Sequence, residues 1–144
     1  LGCDDSLADC FVLEDTKQSM SGLPEQTSIL YGDVRMIGDG PGTKHGEIYA
    51  GEFDFARLRH QNICHQSIFY RTAAVLSQSG FDSRYTVNAD WALNIKLWLN
   101  SAPLYLNRVI ANFTRGGLSS THTDSTFFDE LEDIWLEASN VHQA

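Results

Sequence analysis

The sequence predicts a single domain of mixed helices and strands, α/β or α+β. Three observations predict it. Ser28 to Ile37 sets Ile29, Tyr31, Val34 and Met36 between small or polar residues, and Pro103 to Phe113 carries Leu104, Leu106, Val109, Ile110 and Phe113. Phe127, Leu131, Ile134 and Ala138 instead recur at helical spacing, with Phe128 and Trp135 widening the stripe. A chain of 144 residues that is 42% hydrophobic is one domain's worth, with enough apolar content for one packed core.

Taken in order, Leu1 to Cys3 reads as the tail of a strand and Asp4-Asp5-Ser6 as the turn after it. Leu7 to Met20 follows as an amphipathic helix with Leu7, Cys10, Phe11, Leu13 and Met20 apolar and Asp5 or Ser6 as N-cap. Ser21-Gly22-Leu23-Pro24 ends it. After the Ser28–Ile37 strand comes a loop at Gly38-Asp39-Gly40-Pro41-Gly42, a short strand at Glu47–Tyr49 and a short helix at Phe53–Leu58. Ile63–Tyr70 reads as extended, and Arg71–Ser79 as a helix stopped by Gly80. Ala89–Leu99 is a buried helix with Trp91, Ile95, Trp98 and Leu99 on one side. Arg115-Gly116-Gly117 is a tight turn after the Pro103–Phe113 strand, a place for positive φ. Thr123 or Asp124 caps the last helix, and Asp129, Glu130, Glu132 and Asp133 suit its positive end.

The net charge is −9, and the ten Lys and Arg are scattered, with only Arg57 and Arg59 close together. No basic stripe follows a phosphate backbone, so nucleic acid is not a partner. An acidic protein that handles a diphosphate needs a cation to reverse the local sign. Cys3, Cys10 and Cys64 are odd in number and lack metal-ligand spacing, which fits a reduced, cytosolic compartment. No apolar run approaches the roughly 18–20 residues of a membrane span, and no secretory signal is visible. The chain opens at Leu1 beside what reads as the end of a buried strand, and so reads as a fragment.

Three segments carry candidate chemistry. Asp4 and Asp5 follow a strand's carboxyl end, where α/β sheets bind ligands. One or two carboxylates with substrate phosphates suit Mg²⁺ or Mn²⁺; the alternative is that both acids cap the next helix. Asp90 opens a helix rich in Trp and Leu, where a general base would have a fixed position, or where it would serve as a cap. His65 and Gln66 offer donors and acceptors suited to sugar hydroxyls, against the alternative of a structural histidine. A Cys64-His65 nucleophile lacks a visible oxyanion loop or orienting group.

The succession of motifs is more specific than any one of them. It runs Leu1-Gly2-Cys3-Asp4-Asp5, Ile29-Leu30-Tyr31-Gly32-Asp33, then His65-Gln66-Ser67-Ile68-Phe69-Tyr70-Arg71. Gly80-Phe81-Asp82-Ser83-Arg84-Tyr85, Ala89-Asp90-Trp91 and Phe113-Thr114-Arg115-Gly116-Gly117-Leu118-Ser119 complete it. From Leu1 to about Thr121 this resembles the second half of bacterial family 2 glycosyltransferases of the GT-A fold that build surface polysaccharides.

The resemblance implies an α/β, partial GT-A domain over residues 1–144: a mixed sheet flanked by helices, ending in an amphipathic helix. It would be the acceptor-side, C-terminal part of the catalytic domain, without the N-terminal half that grips the nucleotide. Asp4 and Asp5 match a shortened DXD-type motif, with Cys3 where related enzymes carry another acid or a small residue. Asp5 would bind Mg²⁺ or Mn²⁺, and Asp4 would face the donor's ribose or assist. Asp90 matches the general base, His65, Gln66 and Trp91 the acceptor side, and Arg115, Gly116, Gly117 and Ser119 a loop near the site.

The implied reaction is inverting transfer from a nucleotide-sugar donor to a saccharide or lipid-linked acceptor, at the cytoplasmic face of a membrane. A strand edge left exposed would favour association between chains. Two alternatives stand beside it: a non-catalytic carbohydrate-binding or assembly module using His65, Gln66 and Trp91, and a hydrolase pairing Asp4 with Asp90.

Overall fold

The computed structural model describes residues 1–2, 4–40, 42–116 and 122–141. Its sheet runs in the order β1 (Ser6–Leu7), β5 (Leu104–Thr114), β2 (Ile29–Ile37), β3 (Ile48–Tyr49), with β4 (Ile68–Tyr70) also on β2. β2 and β5 are parallel, and the other pairings are antiparallel. β4 takes the first half of β2 and β3 the second, so β2 has neighbours on both edges and is buried from Ile29 to Val34. Among the described residues, five helices accompany the sheet: α1 (Val12–Met20), α2 (Phe55–Leu58), α3 (Thr72–Ser77), α4 (Ala89–Asn100) and α5 (Ser125–Val141). This is the expected α/β architecture, a mixed sheet flanked by helices, consistent with part of a nucleotide-sugar transferase fold.

The apolar alternation breaks between Tyr31 and Val34, and there the β2–β5 register shifts on either side of Asp33. Gly32 sits at that irregularity. A Cβ on it would overlap the Arg108 carbonyl oxygen and stand 2.7 Å from Cγ1 of Ile110. Only glycine lets β5 approach so closely.

The main core joins Ile29 and Tyr31 of β2 to Trp91, Ile95 and Leu97 of α4 and to Phe127, Ile134, Trp135 and Ala138 of α5. The last helix buries the predicted stripe. Phe127 is fully buried, which contributes about 1.5–3 kcal/mol, and its ring lies 5.1 Å from that of Trp91. Phe128 stays exposed on one side while its edge meets Trp91.

Four expectations need correction. The strand near the N-terminus is Ser6–Leu7, because Asn112 of β5 holds it through Nδ2 bonds to Ser6 Oγ (3.1 Å) and the Leu7 carbonyl (3.4 Å). The first helix therefore begins at Val12 with Phe11 as its N-cap and no side-chain capping bond, so neither Asp5 nor Ser6 caps it; Asp9 Oδ1 accepts the Phe11 N–H at 2.8 Å, just before the helix. It buries Val12 and Thr16, while Phe11, Leu13 and Met20 are exposed. Ile63–Tyr70 is not extended throughout: His65–Ser67 forms a 3-10 turn, closed by a Ser67 Oγ bond to the Cys64 carbonyl at 2.9 Å, before β4. The acids of α5 lie past its first turn, and Glu130 and Glu132 reach across to Arg84 (2.9 Å) and Arg59 (3.0 Å).

Gly116 has the expected positive φ, at 106°; Cys3, Pro41, Gly117, Leu118 and Ser119 lie outside the described residues. Among the described residues, no helix is long and apolar enough to cross a membrane.

Gly32→Ala should lower stability by about 2–3 kcal/mol in denaturant unfolding, since the added methyl meets backbone that cannot rotate away. An unchanged midpoint would mean that β5 does not approach Gly32 this closely.

Candidate active site

The N-terminal segment is tied to the end of β5. Asp5 Oδ1 accepts the Thr114 N–H at 3.0 Å and Oδ2 accepts the Gly2 N–H at 2.8 Å. Thr114 Oγ1 donates to the Asp4 carbonyl at 2.8 Å. The same strand end delivers Arg115, whose side chain passes Gly40 so closely that a Cβ there would overlap the guanidinium. Glycine at position 40 thus makes room for the arginine.

On α4, Asn88 is the N-cap, so Asp90 is not the cap that the sequence also allowed; it lies in the first turn. Its Oδ2 accepts the Asn62 Nδ2–H at 3.0 Å and lies 3.6 Å from Nδ1 of His65. Asn62 comes from the segment before the 3-10 turn, 28 residues away in sequence. Burial pushes the Asp90 carboxyl above its ordinary value, opposed by His65, by the Trp91 N–H and by Asn62. A carboxyl raised toward the working pH is a better proton acceptor when ionised.

The segment before α4 is held by Asp124. Its Oδ1 accepts the Thr86 N–H at 3.1 Å, and its Oδ2 accepts those of Val87 (2.6 Å) and Asn88 (2.9 Å). These bonds, Val87 first, hold the Asp124 carboxyl below its ordinary value despite burial. The side chain of the residue expected to cap α5 thus holds the segment that leads into α4.

Asp4, Asp5, His65, Gln66, Asp90, Trp91 and Arg115 all line one cleft of about 770 Å³. Gly116 is not among its lining residues, and Gly117 and Ser119 lie outside the described residues. Within the cleft the predicted residues differ in freedom. Gln66 Oε1 accepts the Cys64 Sγ–H at 3.0 Å, leaving its amide N–H groups for a ligand. Trp91 is a core residue: its Nε1 donates to the Leu58 carbonyl at 2.8 Å, so only ring surface faces the cleft. Burial pushes the Cys64 thiol up to about 12, with the Asp5 and Asp90 charges adding to it. A protonated thiol is a poor nucleophile, which argues against the Cys64-His65 reading.

Asn62 and Asn94 are not singled out by the sequence, and Tyr70 and Phe81 stand there only inside motifs, without a role at the site. Asn94 stands one helical turn after Asp90, a spacing that puts both on one face and was there to be read. Phe81 lines the cleft with its ring 5.9 Å from that of His65.

Asp4 and Asp5 offer hard oxygen donors, and each Asp5 oxygen keeps acceptor capacity beyond its one backbone bond. Among the described residues, no group of three or more His, Cys, Asp or Glu stands together as a metal cage. The set fits a cation whose shell is completed by substrate phosphates and water, as Mg²⁺ sites commonly are.

No family model matches the chain. PGL/p-HBAD biosynthesis glycosyltransferases of Mycobacterium bovis (strain BCG) and Mycobacterium tuberculosis (strain H37Ra) are 36% identical to it over 135 residues. The chain is a homologue of these glycosyltransferases. The match covers 91% of this chain and 50% of each relative, so the chain spans about half the length of the curated relatives it matches.

Asp124→Ala should leave three N–H groups without their acceptor, lowering stability by about 2 kcal/mol and speeding amide exchange at Thr86, Val87 and Asn88. The folded Asp124 carboxyl is held low, so its contribution is complete above the ordinary value of 3.8 and is lost as pH falls through the lowered one. Wild type and variant should therefore converge in acid. A stability gap that widens with acidity would contradict the arrangement.

Proposed function

We propose that the chain carries the acceptor-side part of a metal-dependent, inverting glycosyltransferase of the family 2, GT-A type. The observation that carries this reading is the convergence of Asp90 with Asp4 and Asp5 in one cleft, in a chain related to glycosyltransferases.

Asp90 is the general base. It accepts the proton of an acceptor hydroxyl while that oxygen bonds to the anomeric carbon of the donor sugar. The bond to the diphosphate oxygen breaks on the opposite face, and its electron pair leaves with the nucleoside diphosphate. One carboxylate base, with no covalent intermediate, is sufficient for inversion. Asn62 orients Asp90, and His65 and Gln66 offer hydrogen bonds to acceptor hydroxyls. Arg115 lines the same cleft and places positive charge near the anionic donor.

Asp5, assisted by Asp4, would hold Mg²⁺ or Mn²⁺, whose charge offsets that of the departing diphosphate. The acceptor is a saccharide or a lipid-linked saccharide of a surface polysaccharide or glycolipid, met at the cytoplasmic face of a membrane. In a catalytic domain of this type, the N-terminal half would supply most donor contacts.

Calorimetric titration with UDP and GDP, each with and without Mn²⁺, tests the donor side. Metal-dependent binding that Asp5→Ala removes is the expected result. Glycan binding that ignores Mn²⁺ and survives Asp5→Ala would favour a non-catalytic binding module instead. On the acceptor side, Asp90→Asn should lower kcat for transfer about 10²–10⁴-fold with an unchanged melting curve; transfer retained by that variant would overturn the assignment.

A further inference from the structure

Behind Asp90 runs a chain of three side chains, of which the transfer mechanism uses only Asn62, the one that touches the carboxylate. The Tyr70 hydroxyl donates to Oδ1 of Asn94 at 2.9 Å. Asn94 Nδ2 donates to Oδ1 of Asn62 at 2.9 Å, and Asn62 Nδ2 donates to Oδ2 of Asp90 at 3.0 Å. Every bond points the same way, toward the carboxylate. Asn94 is fully buried in the middle of α4, where a polar side chain costs stability unless it is paired. Here both ends of its amide are paired.

The direction has a chemical consequence. An amide presents an oxygen on one side and N–H groups on the other, so each asparagine transmits the orientation of its neighbour. With the Tyr70 O–H on its oxygen, Asn94 must offer Nδ2 to Asn62. Asn62 must then offer Nδ2 to Asp90. A flipped Asn62 would set its oxygen against the carboxylate, which repels the ionised form.

We propose that Tyr70, Asn94 and Asn62 form a positioning chain that locks the Asn62 amide so that it donates to Oδ2 of Asp90 and keeps that carboxylate oriented and ionised as a base. The proposal rests on the reading of Asp90 as the base. None of the three touches the reacting atoms in this role; Asn62 acts on Asp90 directly, and Asn94 and Tyr70 act through it.

Other groups bear on the same carboxylate. His65 faces Asp90 from the 3-10 turn, and Cys64 and Tyr70 sense its charge. Asp5 and Arg115 share the cleft, and Asp124 binds the segment before α4. Tyr70 and Cys64 are both raised by burial first and remain neutral across the physiological range. His65 is the neighbour whose own protonation has to be followed separately.

The test is a carbon-13 NMR titration of the Asp90 carboxyl in the chain itself, with the His65 ring followed in the same samples. Asn62→Ala removes the donor and should raise the Asp90 midpoint by about one pH unit, because a bond to the charged form is lost. Tyr70→Phe keeps the ring beside His65 and Phe81 and removes only the distant hydroxyl. It should raise the midpoint by a smaller amount.

In the double variant the midpoint should equal that of Asn62→Ala alone, since Tyr70 acts only through Asn62. Additive shifts, or a midpoint unmoved by Tyr70→Phe in a folded protein, would overturn the chain. The titration needs no turnover, so failure of the transfer reading would show as missing activity with these shifts intact. Failure of the positioning chain would show as unmoved midpoints whether or not transfer occurs.

Discussion

The site depends on one carboxylate that takes no part in chemistry. Asp124 accepts N–H bonds from Thr86, Val87 and Asn88 and so fixes the backbone that leads into α4. Asp90 follows two residues later, in the first turn. Because Asp124 directly precedes α5, whose Phe127 packs on Trp91, the same few residues dock the last helix and aim the candidate base. Polar and apolar contacts meet here: the carboxylate holds the segment before α4, and the Trp91–Phe127 contact packs α4 against α5.

The other side of the cleft is built by the sheet. β5 runs parallel to β2; its last residue, Thr114, carries the N–H that binds Asp5, and Arg115 follows it directly. The approach of β5 over Gly32 sets where those residues emerge. The cleft therefore has two anchors, one in a helix pair and one in a strand pair, with the Asn62–Gln66 segment lining the space between them. A division of this kind suits transfer between two substrates, since a rigid element positions each reacting partner.

Much of this was legible in the sequence, and what was missed has physical reasons. The long strands, α4 and α5 follow from periodicity, and even the break in alternation at Gly32-Asp33 marks the register shift. Of the residues named from the resemblance, Asp4, Asp5, His65, Gln66, Asp90, Trp91 and Arg115 line one cleft, and Gly116 does not. The first helix was misread because Ser6 and Leu7 gain a partner strand more than a hundred residues away, a pairing that local pattern cannot reveal. Asp124 looked like an ordinary cap because its side-chain partners lie 36 to 38 residues earlier. Asn62 and Tyr70 carry no periodic signal, and only the fold brings them to Asp90; Asn94, one turn along α4, was the exception.

The claim at the centre of this account is that Asp90 must be ionised to take the acceptor proton. The most direct measurement is the pH dependence of kcat/KM for transfer, compared with the Asp90 carboxyl midpoint in the same protein. Transfer should rise with pH through an apparent value above that of an ordinary aspartate, coincident with that midpoint, because burial raises Asp90. A rate that stays level while Asp90 titrates would contradict it, and the base would have to be sought elsewhere in the cleft.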